Sequence, residues 1–101
     1  MKRVYISGAI TNNPDFKSDF KKAREKWESE GYMVIDPSHL IDVFPDGTHE
    51  QYMNICMGLL KMADVVFMMD GWQNSKGAIM EYGYALSHNI ETTTKYWRKP
   101  I

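Results

Sequence analysis

The sequence has almost no cysteine, no long apolar run and no excess of one charge, and each lack excludes a class of protein. Cys56 is the single cysteine among 101 residues, so no disulfide can form within the chain, as is typical of a reducing compartment. The longest purely apolar run, at 65–69, is far shorter than the roughly 20 residues of a membrane-spanning helix. The N-terminal apolar run is also too short for a secretory signal. We therefore expect a cytoplasmic protein with no membrane segment.

The charge balance and the potential metal ligands exclude further classes. Twelve Lys and Arg residues stand against thirteen Asp and Glu residues, giving a net charge of −1. A nucleic acid polymer is not an expected partner, because binding its phosphates takes a basic excess. Besides Cys56, the soft metal ligands are His39, His49 and His88, and no pair of them has the spacing of a zinc site. We expect neither a metal nor an organic cofactor.

The composition that remains is globular. Hydrophobic residues make up 44% and charged residues 25% of the chain, the balance of an ordinary folded domain. A chain of 101 residues has room for one such domain. We expect a single domain that covers the whole sequence.

Short apolar runs predict the strands of a parallel sheet. Runs at 3–7 and 65–69 are continuous rather than alternating, which indicates burial on both faces. A third strand is predicted at 32–35, and the β-branched and aromatic segment at 90–101 is a candidate edge strand. Strands that alternate with helices form a parallel sheet with right-handed crossovers. The sequence predicts a flavodoxin-like or Rossmann-like α/β sandwich of three layers, with about four parallel strands.

Periodicity and capping signals predict three helices between these strands. The first is expected to begin at Asn13, as N-cap before Pro14, and to end at Gly31. The second, at about 50–62, follows a capping box of Thr48 and Gln51. It is expected to bury Ile55 and Leu59, with Leu60 and Met62 as further candidates. The third runs from a Ser75 cap to about His88.

In such a sheet, ligands bind beyond the carboxyl ends of the strands, where the strand order reverses. Residues 7–9, Asp36 and the segment 70–75 follow the three strands, so we expect them to meet at this edge. Asp64 precedes the third strand. It is expected at the opposite edge, with a structural role.

The segment at 71–78, GWQNSKGA, joins a buried strand to a helix. It offers backbone N–H groups, a hydroxyl and a lysine to an anion such as phosphate. It matches neither GxxxxGK[ST] nor GxGxxG, so an ATPase or a dinucleotide-binding protein is not expected. The alternative is a capped turn with no ligand, since Gly and Ser are common turn residues.

Glu81 is the acid that the sequence places on an inward face. It lies four residues after Gly77, three after Ala78 and four before Ala85, so it shares a helical stripe with small residues. An inward carboxylate is costly unless it is paired or used in chemistry. The alternative to a catalytic role is an acid paired with a nearby Lys or Tyr.

Two aromatic side chains are candidates for stacking on a planar base. Tyr5 and Trp72 flank the same edge of the predicted sheet, and aromatic rings stack on nucleobases. Either ring can instead be core, and core packing is the favoured interpretation for Tyr5.

The motifs YISGAI at 5–10, ADVV at 63–66 and GWQNSKGA at 71–78, followed by Glu81 and Ala85, resemble those of the nucleoside 2-deoxyribosyltransferase-like family, which includes small phage-borne proteins. The resemblance spans residues 3–89. It implies cleavage or exchange of an N-glycosidic bond, with Glu81 as the nucleophile of a retaining mechanism. It further implies that Ser75 holds a 5'-phosphate, and that this chain forms a homo-oligomer as its relatives do.

The chain departs from the family's 5'-phosphate hydrolases at two positions. Thr11 stands where those relatives have an arginine on the phosphate, and Cys56 where they have an aspartate that assists the nucleophile and the leaving base. A thiol replaces that charge poorly. Either Asp36 or Asp70 supplies the acid, or the protein binds a nucleotide without rapid turnover.

The resulting hypothesis is a deoxyribosyl-transferring or N-glycosidic hydrolase acting on a 2'-deoxynucleoside or its 5'-monophosphate. Glu81 is its nucleophile, and Asp36 and Asp70 are the candidate auxiliary acids. The expected substrate-binding residues are Tyr5, Ser7, Gly8, Ala9, Ile10, Gly71, Trp72, Ser75, Lys76 and Gly77. The alternatives are a nucleotide-binding or sequestering protein with little catalysis, and an interaction domain whose cleft is empty.

Overall fold

Four parallel strands form the centre of the structure, a computed structural model that describes residues 2–96. In chain order the elements are β1 (Arg3–Ser7), α1 (Phe16–Ser29), β2 (Met33–Ile35), α2 (Leu40–Val43), α3 (His49–Leu60), β3 (Val65–Met68), α4 (Lys76–Ser87) and β4 (Glu91–Thr93). The strand order is β2-β1-β3-β4. Since β2 lies on one side of β1 and β3 on the other, the order reverses beside β1. The predicted flavodoxin-like α/β architecture is confirmed.

The two faces of the sheet are covered by different helices. On one face, Val4 and Ile6 pack with the α1 side chains Phe20, Ala23 and Trp27. On the other face, Tyr5 packs with α3 and α4, through Cys56, Leu60, Ala78 and Ala85. Alternate residues of a strand point to opposite faces, so Tyr5 and Ser7 of β1 both point toward α3 and α4. The three layers predicted from the sequence are therefore present.

Helix α1 begins later than predicted. Its first residue is Phe16 and its N-cap is Asp15, so the prediction of Asn13 as the cap is wrong by two residues. The Asn13 side chain accepts the Asp15 N–H at 3.1 Å, a local turn that competes with helix initiation. At the other end, Gly31 adopts the left-handed φ of 88° that a helix stop of this kind requires.

Helix α3 has the predicted capping box but turns a different face to the sheet. The Thr48 side chain and Gln51 exchange the two reciprocal hydrogen bonds. Ile55, which was expected to be buried, and Met62, which was a further candidate, are exposed. The buried side chains of this helix are instead Met53, Cys56 and Leu60, while Leu59 is partly buried. The helix carries apolar side chains on more than one face, so periodicity alone did not identify the buried one.

The segment after β2 is more ordered than the loop that the sequence predicted. It forms a short 3-10 turn, Pro37–His39, followed by α2. The carboxylate of Asp36 caps this turn by accepting the Ser38 N–H at 2.9 Å. The predicted C-terminal strand is confirmed at Glu91–Thr93, which pairs with β3. The strand does not continue through residues 94–96, and the rest of the predicted segment, at 97–101, lies outside the described residues.

No helix in the described part of the chain is both long and apolar enough to cross a membrane.

Candidate functional site

The carboxyl group of Glu81 lies between α4 and β1. Its residue is only 5% exposed and shares a buried stripe with Ala78 and Ala85, so the prediction of an inward-facing acid is confirmed. Oε1 accepts a hydrogen bond from Ser7 Oγ at 2.7 Å, and Oε2 accepts one from the Tyr5 hydroxyl. Two hydroxyls on one face of a strand therefore fix both oxygens of one carboxylate.

The environment of this carboxylate has opposing electrostatic effects. Burial raises the pKa of Glu81, while the Tyr5 and Ser7 hydroxyls act to lower it. Burial, and then the neighbouring Glu81 charge, raise the pKa of Tyr5 well above its usual value. Tyr5 therefore stays a neutral hydroxyl that donates to Glu81.

Cys56 of α3 packs beside Tyr5 in the same buried cluster. Its side chain interacts with the Tyr5 hydroxyl, and burial raises the pKa of the Cys56 thiol to about 11. The thiol is therefore neutral at pH 7. The position that the family resemblance assigns to a carboxylate holds an uncharged group.

A cavity of about 610 Å³ opens beside Glu81. It is bounded by the segments that follow β1, β2 and β3 and by the start of α3, at the carboxyl edge of the sheet and next to the reversal of strand order. Its lining residues are Gly8, Ile10, Thr11, Asn12, Phe20, Pro37, Leu40, Ile41, Gly47, His49, Tyr52, Met53, Cys56, Asn74, Ser75, Lys76, Gly77, Ala78 and Glu81.

The structure brings one group of the predicted site residues to this cavity. These residues are Gly8, Ile10, Ser75, Lys76, Gly77 and Glu81. Tyr5 and Ser7 are fully buried behind them and reach the site through Glu81. Tyr5 is thus a core residue, which is the interpretation favoured from the sequence, and its buried ring offers no face to a base in the cavity. Its hydroxyl donates to Glu81.

A second group of predicted site residues does not line the cavity. Ala9, Gly71 and Trp72 follow β1 and β3 as expected, but none of them forms its wall. The Trp72 ring packs on Tyr82, with 4.8 Å between centroids. A base in this cavity therefore cannot stack on the ring of Trp72. Gly71 serves instead as a turn residue with a φ of 82°.

The two candidate auxiliary acids also lie outside the lining. Asp36 is bound to Arg24, at 2.6 Å from Oδ2 to Nη1, and to the Ser38 hydroxyl, so its carboxylate holds the turn after β2 to α1. Asp70 is exposed. Asp64 accepts the Arg3 N–H at 2.7 Å at the start of β1, which confirms its predicted structural position at the opposite edge.

Sequence reasoning missed the wall that α3 contributes. His49, Tyr52, Met53 and Cys56 all line the cavity, and they recur with the spacing of one helical face. That spacing was available in the sequence, but a stripe through Ile55 was taken as the inner one. The apolar wall from the segment after β2, which includes Leu40, had no comparable local signal.

The site shows no dedicated metal ligands. Within residues 2–96, no group of three or more His, Cys, Asp or Glu side chains is placed to hold a metal ion. What the arrangement offers is a hydrogen-bonded carboxylate, a serine hydroxyl at the cap of α4, and two side chains that can carry positive charge, His49 and Lys76.

These features define an α/β protein with a ligand-sized cavity at the carboxyl edge of a parallel sheet. The chain belongs to the family described as "Domain of unknown function (DUF4406)", whose model matches residues 2–94. No curated protein matches it significantly. Among solved structures it is similar to the "2-desoxiribosyltransferase from Leishmania mexicana", with a TM-score of 0.71 and 16% identity over 91% of this chain. The chain spans 62% of the length of that protein, and at this identity the similarity establishes the fold.

Proposed function

We propose that the chain acts as a single-domain enzyme that cleaves or exchanges the N-glycosidic bond of a 2'-deoxynucleoside or its 5'-monophosphate. The observation that carries the proposal is the buried Glu81 carboxylate, held by the Tyr5 and Ser7 hydroxyls on the wall of the cavity. A fixed carboxylate beside a cavity is the arrangement that glycosyl transfer through a covalent intermediate requires. The fold shared with a deoxyribosyltransferase supports it.

The reaction proceeds in two displacements. An oxygen of Glu81 attacks the anomeric carbon of the deoxyribose, and the bond from that carbon to the base nitrogen breaks. The electron pair leaves with the base, which then takes up a proton. Water or a second base attacks the same carbon and gives up a proton, and the bond from that carbon to the Glu81 oxygen breaks, which restores the carboxylate. The anomeric configuration is retained because two inversions occur.

The walls of the cavity suggest how the substrate is oriented. The deoxyribose lies over Glu81, and Ser75 and Gly77 at the start of α4 face its 5' end. The base packs against the apolar wall that includes Ile10, Pro37 and Leu40, rather than on Trp72. Apolar walls with a few fixed polar groups are the usual composition of small-molecule sites.

The test is chromatographic detection of free base. The protein is incubated with each 2'-deoxynucleoside and each 5'-monophosphate, with and without an acceptor base, beside a Glu81→Ala variant whose fold is verified by circular dichroism. Release or exchange that the variant loses supports the proposal and identifies the substrate. Equal inertness of both proteins would refute it.

A second candidate function is nucleotide binding or sequestration without efficient chemistry. The observation that favours it is that Asp36 and Asp70 lie outside the cavity, while Cys56 is a neutral thiol. Tight nucleotide binding by calorimetry, without base release, would select this candidate. No nucleotide-dependent thermal shift at all would leave an interaction domain with an empty cleft.

The family resemblance also leads us to propose a homo-oligomer in the cytoplasm. In relatives, residues of a second subunit contribute to the cleft. A monomeric mass in solution scattering would contradict the oligomer.

A further inference from the structure

A second cavity adjoins the first, and one side chain stands between them. The second cavity, of about 670 Å³, is bounded by residues 43–47 and by side chains of α3. Of the described residues, Gly47 and Tyr52 line both this cavity and the one beside Glu81. Since glycine has no side chain, the ring of Tyr52 is what separates the two spaces.

The Tyr52 ring is held in this position by two contacts with the segment 43–47. Its hydroxyl donates a hydrogen bond to the Phe44 carbonyl oxygen. A Cβ built on Gly47 would lie 2.7 Å from Tyr52 Cζ, closer than real Cβ atoms approach other atoms. The ring can therefore lie against the backbone here because residue 47 is glycine. This half-buried tyrosine is thus fixed between α3 and the segment that follows α2.

The α3 side chains that line the first cavity divide into two sets. His49 and Met53 face α4, since a Cβ on Gly77 would be 3.5 Å from His49 Cε1 and 3.3 Å from Met53 Sδ. Tyr52 instead faces the end of α2, where its hydroxyl reaches Phe44. It therefore closes the cavity on the side of α2, away from α4.

This side of the cavity is the one suited to a base. Leu40 and Ile41 of α2 line the cavity here, whereas the start of α4 contributes the Ser75 hydroxyl. In the proposed function the sugar lies over Glu81. The base then extends toward α2, because apolar surface is most favourably buried against apolar walls. The far edge of the base meets the Tyr52 ring.

A fixed ring at this end limits the length of the base. Forcing extra atoms against a well-packed wall typically lowers affinity about tenfold to a hundredfold. Without the Tyr52 ring, the first cavity becomes continuous with the second, which then has room for those atoms.

We propose that Tyr52 determines the largest base that the site accepts, by closing the cavity between residue 47 and the end of α2. The inference rests on the proposed function and specifies which bases its substrates carry. It assigns the second cavity as the space that a larger base enters when this side chain is truncated.

The test is a size series of 2'-deoxynucleosides, each supplied with and without a 5'-phosphate. The bases are a pyrimidine, a purine and a benzo-extended purine, which have one, two and three rings. The ratio of kcat/KM for each base to kcat/KM for the next smaller base is measured from base release. We expect wild type to show a fall of about tenfold to a hundredfold at one of the two steps. Tyr52→Ala should lose most of that fall, and comparison with wild type cancels the intrinsic reactivity of the bases.

Two further variants are the controls. Tyr52→Phe keeps the ring against Gly47 and should keep the wild-type fall. Ile55→Ala truncates an exposed apolar side chain of the same helix that lines the second cavity but not the first, and it should also behave as wild type. Circular dichroism verifies the fold of each variant.

The outcomes separate this inference from the proposed function. The assignment to Tyr52 is overturned, while glycosyl transfer stands, if wild type shows no fall at either step or if the fall persists in Tyr52→Ala. A fall that Tyr52→Phe or Ile55→Ala loses as fully as Tyr52→Ala also overturns it. If wild type releases no base from any substrate, glycosyl transfer fails. The same series is then measured as calorimetric binding, with the same step expected in Kd. Absence of binding, or a step that Tyr52→Ala retains, overturns the assignment there.

Discussion

At the scale of single residues, the chemistry depends on how Glu81 is held. Burial raises the pKa of Glu81, whereas the hydroxyls of Tyr5 and Ser7 lower it, because they donate to the charged form. A carboxyl group must be ionised to act as a nucleophile. The two hydroxyls therefore keep a buried acid reactive, and they hold its oxygens in one orientation.

Replacing Tyr5 by Phe tests this balance, because it removes one donor and keeps the ring that fills the core. Without the hydroxyl, the pKa of Glu81 rises further, and the reactive carboxylate is lost at a higher pH. We expect the acidic limb of the pH profile of kcat/KM to move upward. The rate at neutral pH should fall roughly tenfold or more, given the usual worth of a hydrogen bond to a charged group. The measurement is base release as a function of pH.

The matched control for this variant is Tyr82→Phe. Tyr82 packs on Trp72, outside the cavity lining. The hydroxyls that donate to Glu81 are those of Tyr5 and Ser7, so loss of the Tyr82 hydroxyl removes no hydrogen bond from the carboxylate. An acidic limb that stays in place in Tyr5→Phe, or that moves equally in Tyr82→Phe, would contradict the role assigned to Tyr5.

Cys56 leads to a prediction about the leaving base. Among the described residues that line the cavity, Glu81 is the single carboxylate, and the Cys56 thiol is neutral with a pKa raised to about 11 by burial. A departing base thus receives little help from an acid. We expect turnover to depend steeply on the acidity of the base across a series of 5-substituted 2'-deoxyuridine 5'-monophosphates.

A carboxylic acid at this position should weaken that dependence. Cys56→Asp is expected to give a shallower slope of log kcat against the pKa of the base, because it can share a proton with the leaving nitrogen. Cys56→Asn has nearly the same shape without the acid and should keep the steep slope. A shallow slope already in wild type would mean that another group protonates the base.

At the scale of elements, the sequence predicted those with strong local signals. Helix α4 was predicted almost to its ends, because Ser75 caps it by accepting the Ala78 N–H at 3.2 Å and small residues mark its inner stripe. The turn at Pro37–His39 was missed, although Asp36 caps it through the Ser38 N–H; the ion pair that joins Asp36 to Arg24 of α1 had no local signal. Local patterns identify caps and stripes, whereas contacts across the chain decide how loops fold.

Two glycines of α4 separate helix stability from ligand binding. A Cβ on Gly77 would lie 3.3 Å from Met53 Sδ, whereas one on Gly83 would meet nothing within 4 Å. Alanine in place of an interior helical glycine gains up to about 1 kcal/mol, so Gly83→Ala should raise the Tm by several degrees. Gly77 lines the cavity, and Gly77→Ala should raise KM, because its methyl group takes cavity space beside Met53 and His49.

Thermal unfolding and KM are measured for both variants. Only Gly77→Ala should change KM, and its gain in Tm should be the smaller, since the flexible Met53 side chain must shift to admit the methyl group. An equal effect of the two substitutions on KM would place the ligand elsewhere.

At the scale of the whole molecule, the topology determined where the cavity lies. The order β2-β1-β3-β4 places the residues after β1 and β3 at one edge, and this much follows from the rule for parallel sheets. The composition of the walls did not follow from it. Asp36 follows β2 as predicted, yet its carboxylate is bound to Arg24 instead of facing the cavity. A residue's position at an edge is thus predictable from sequence, whereas its partners there are not.

The fold as a whole should be less stable at neutral pH because it buries Glu81. Burial raises the pKa of Glu81 in the folded protein, so the folded state binds this proton more tightly than the unfolded chain does. The resulting stabilisation is complete below the unfolded pKa and is lost as the pH rises through the folded pKa. Glu81→Gln removes this ionisation, while its amide still accepts from Tyr5 and donates to Ser7. We expect the variant to be inactive but more stable than wild type at neutral pH, with an advantage that shrinks on acidification.

Thermal unfolding from acidic to neutral pH measures this difference, and each 1 kcal/mol corresponds to about 4–8 °C in Tm for a domain of this size. Glu91→Gln is the control, because Glu91 is exposed on β4 and its loss of charge should leave Tm nearly unchanged at every pH. A Glu81→Gln variant that is less stable than wild type at neutral pH would show that the carboxylate supports the fold. A stabilised, inactive variant is the result expected of a residue kept for catalysis at the expense of stability.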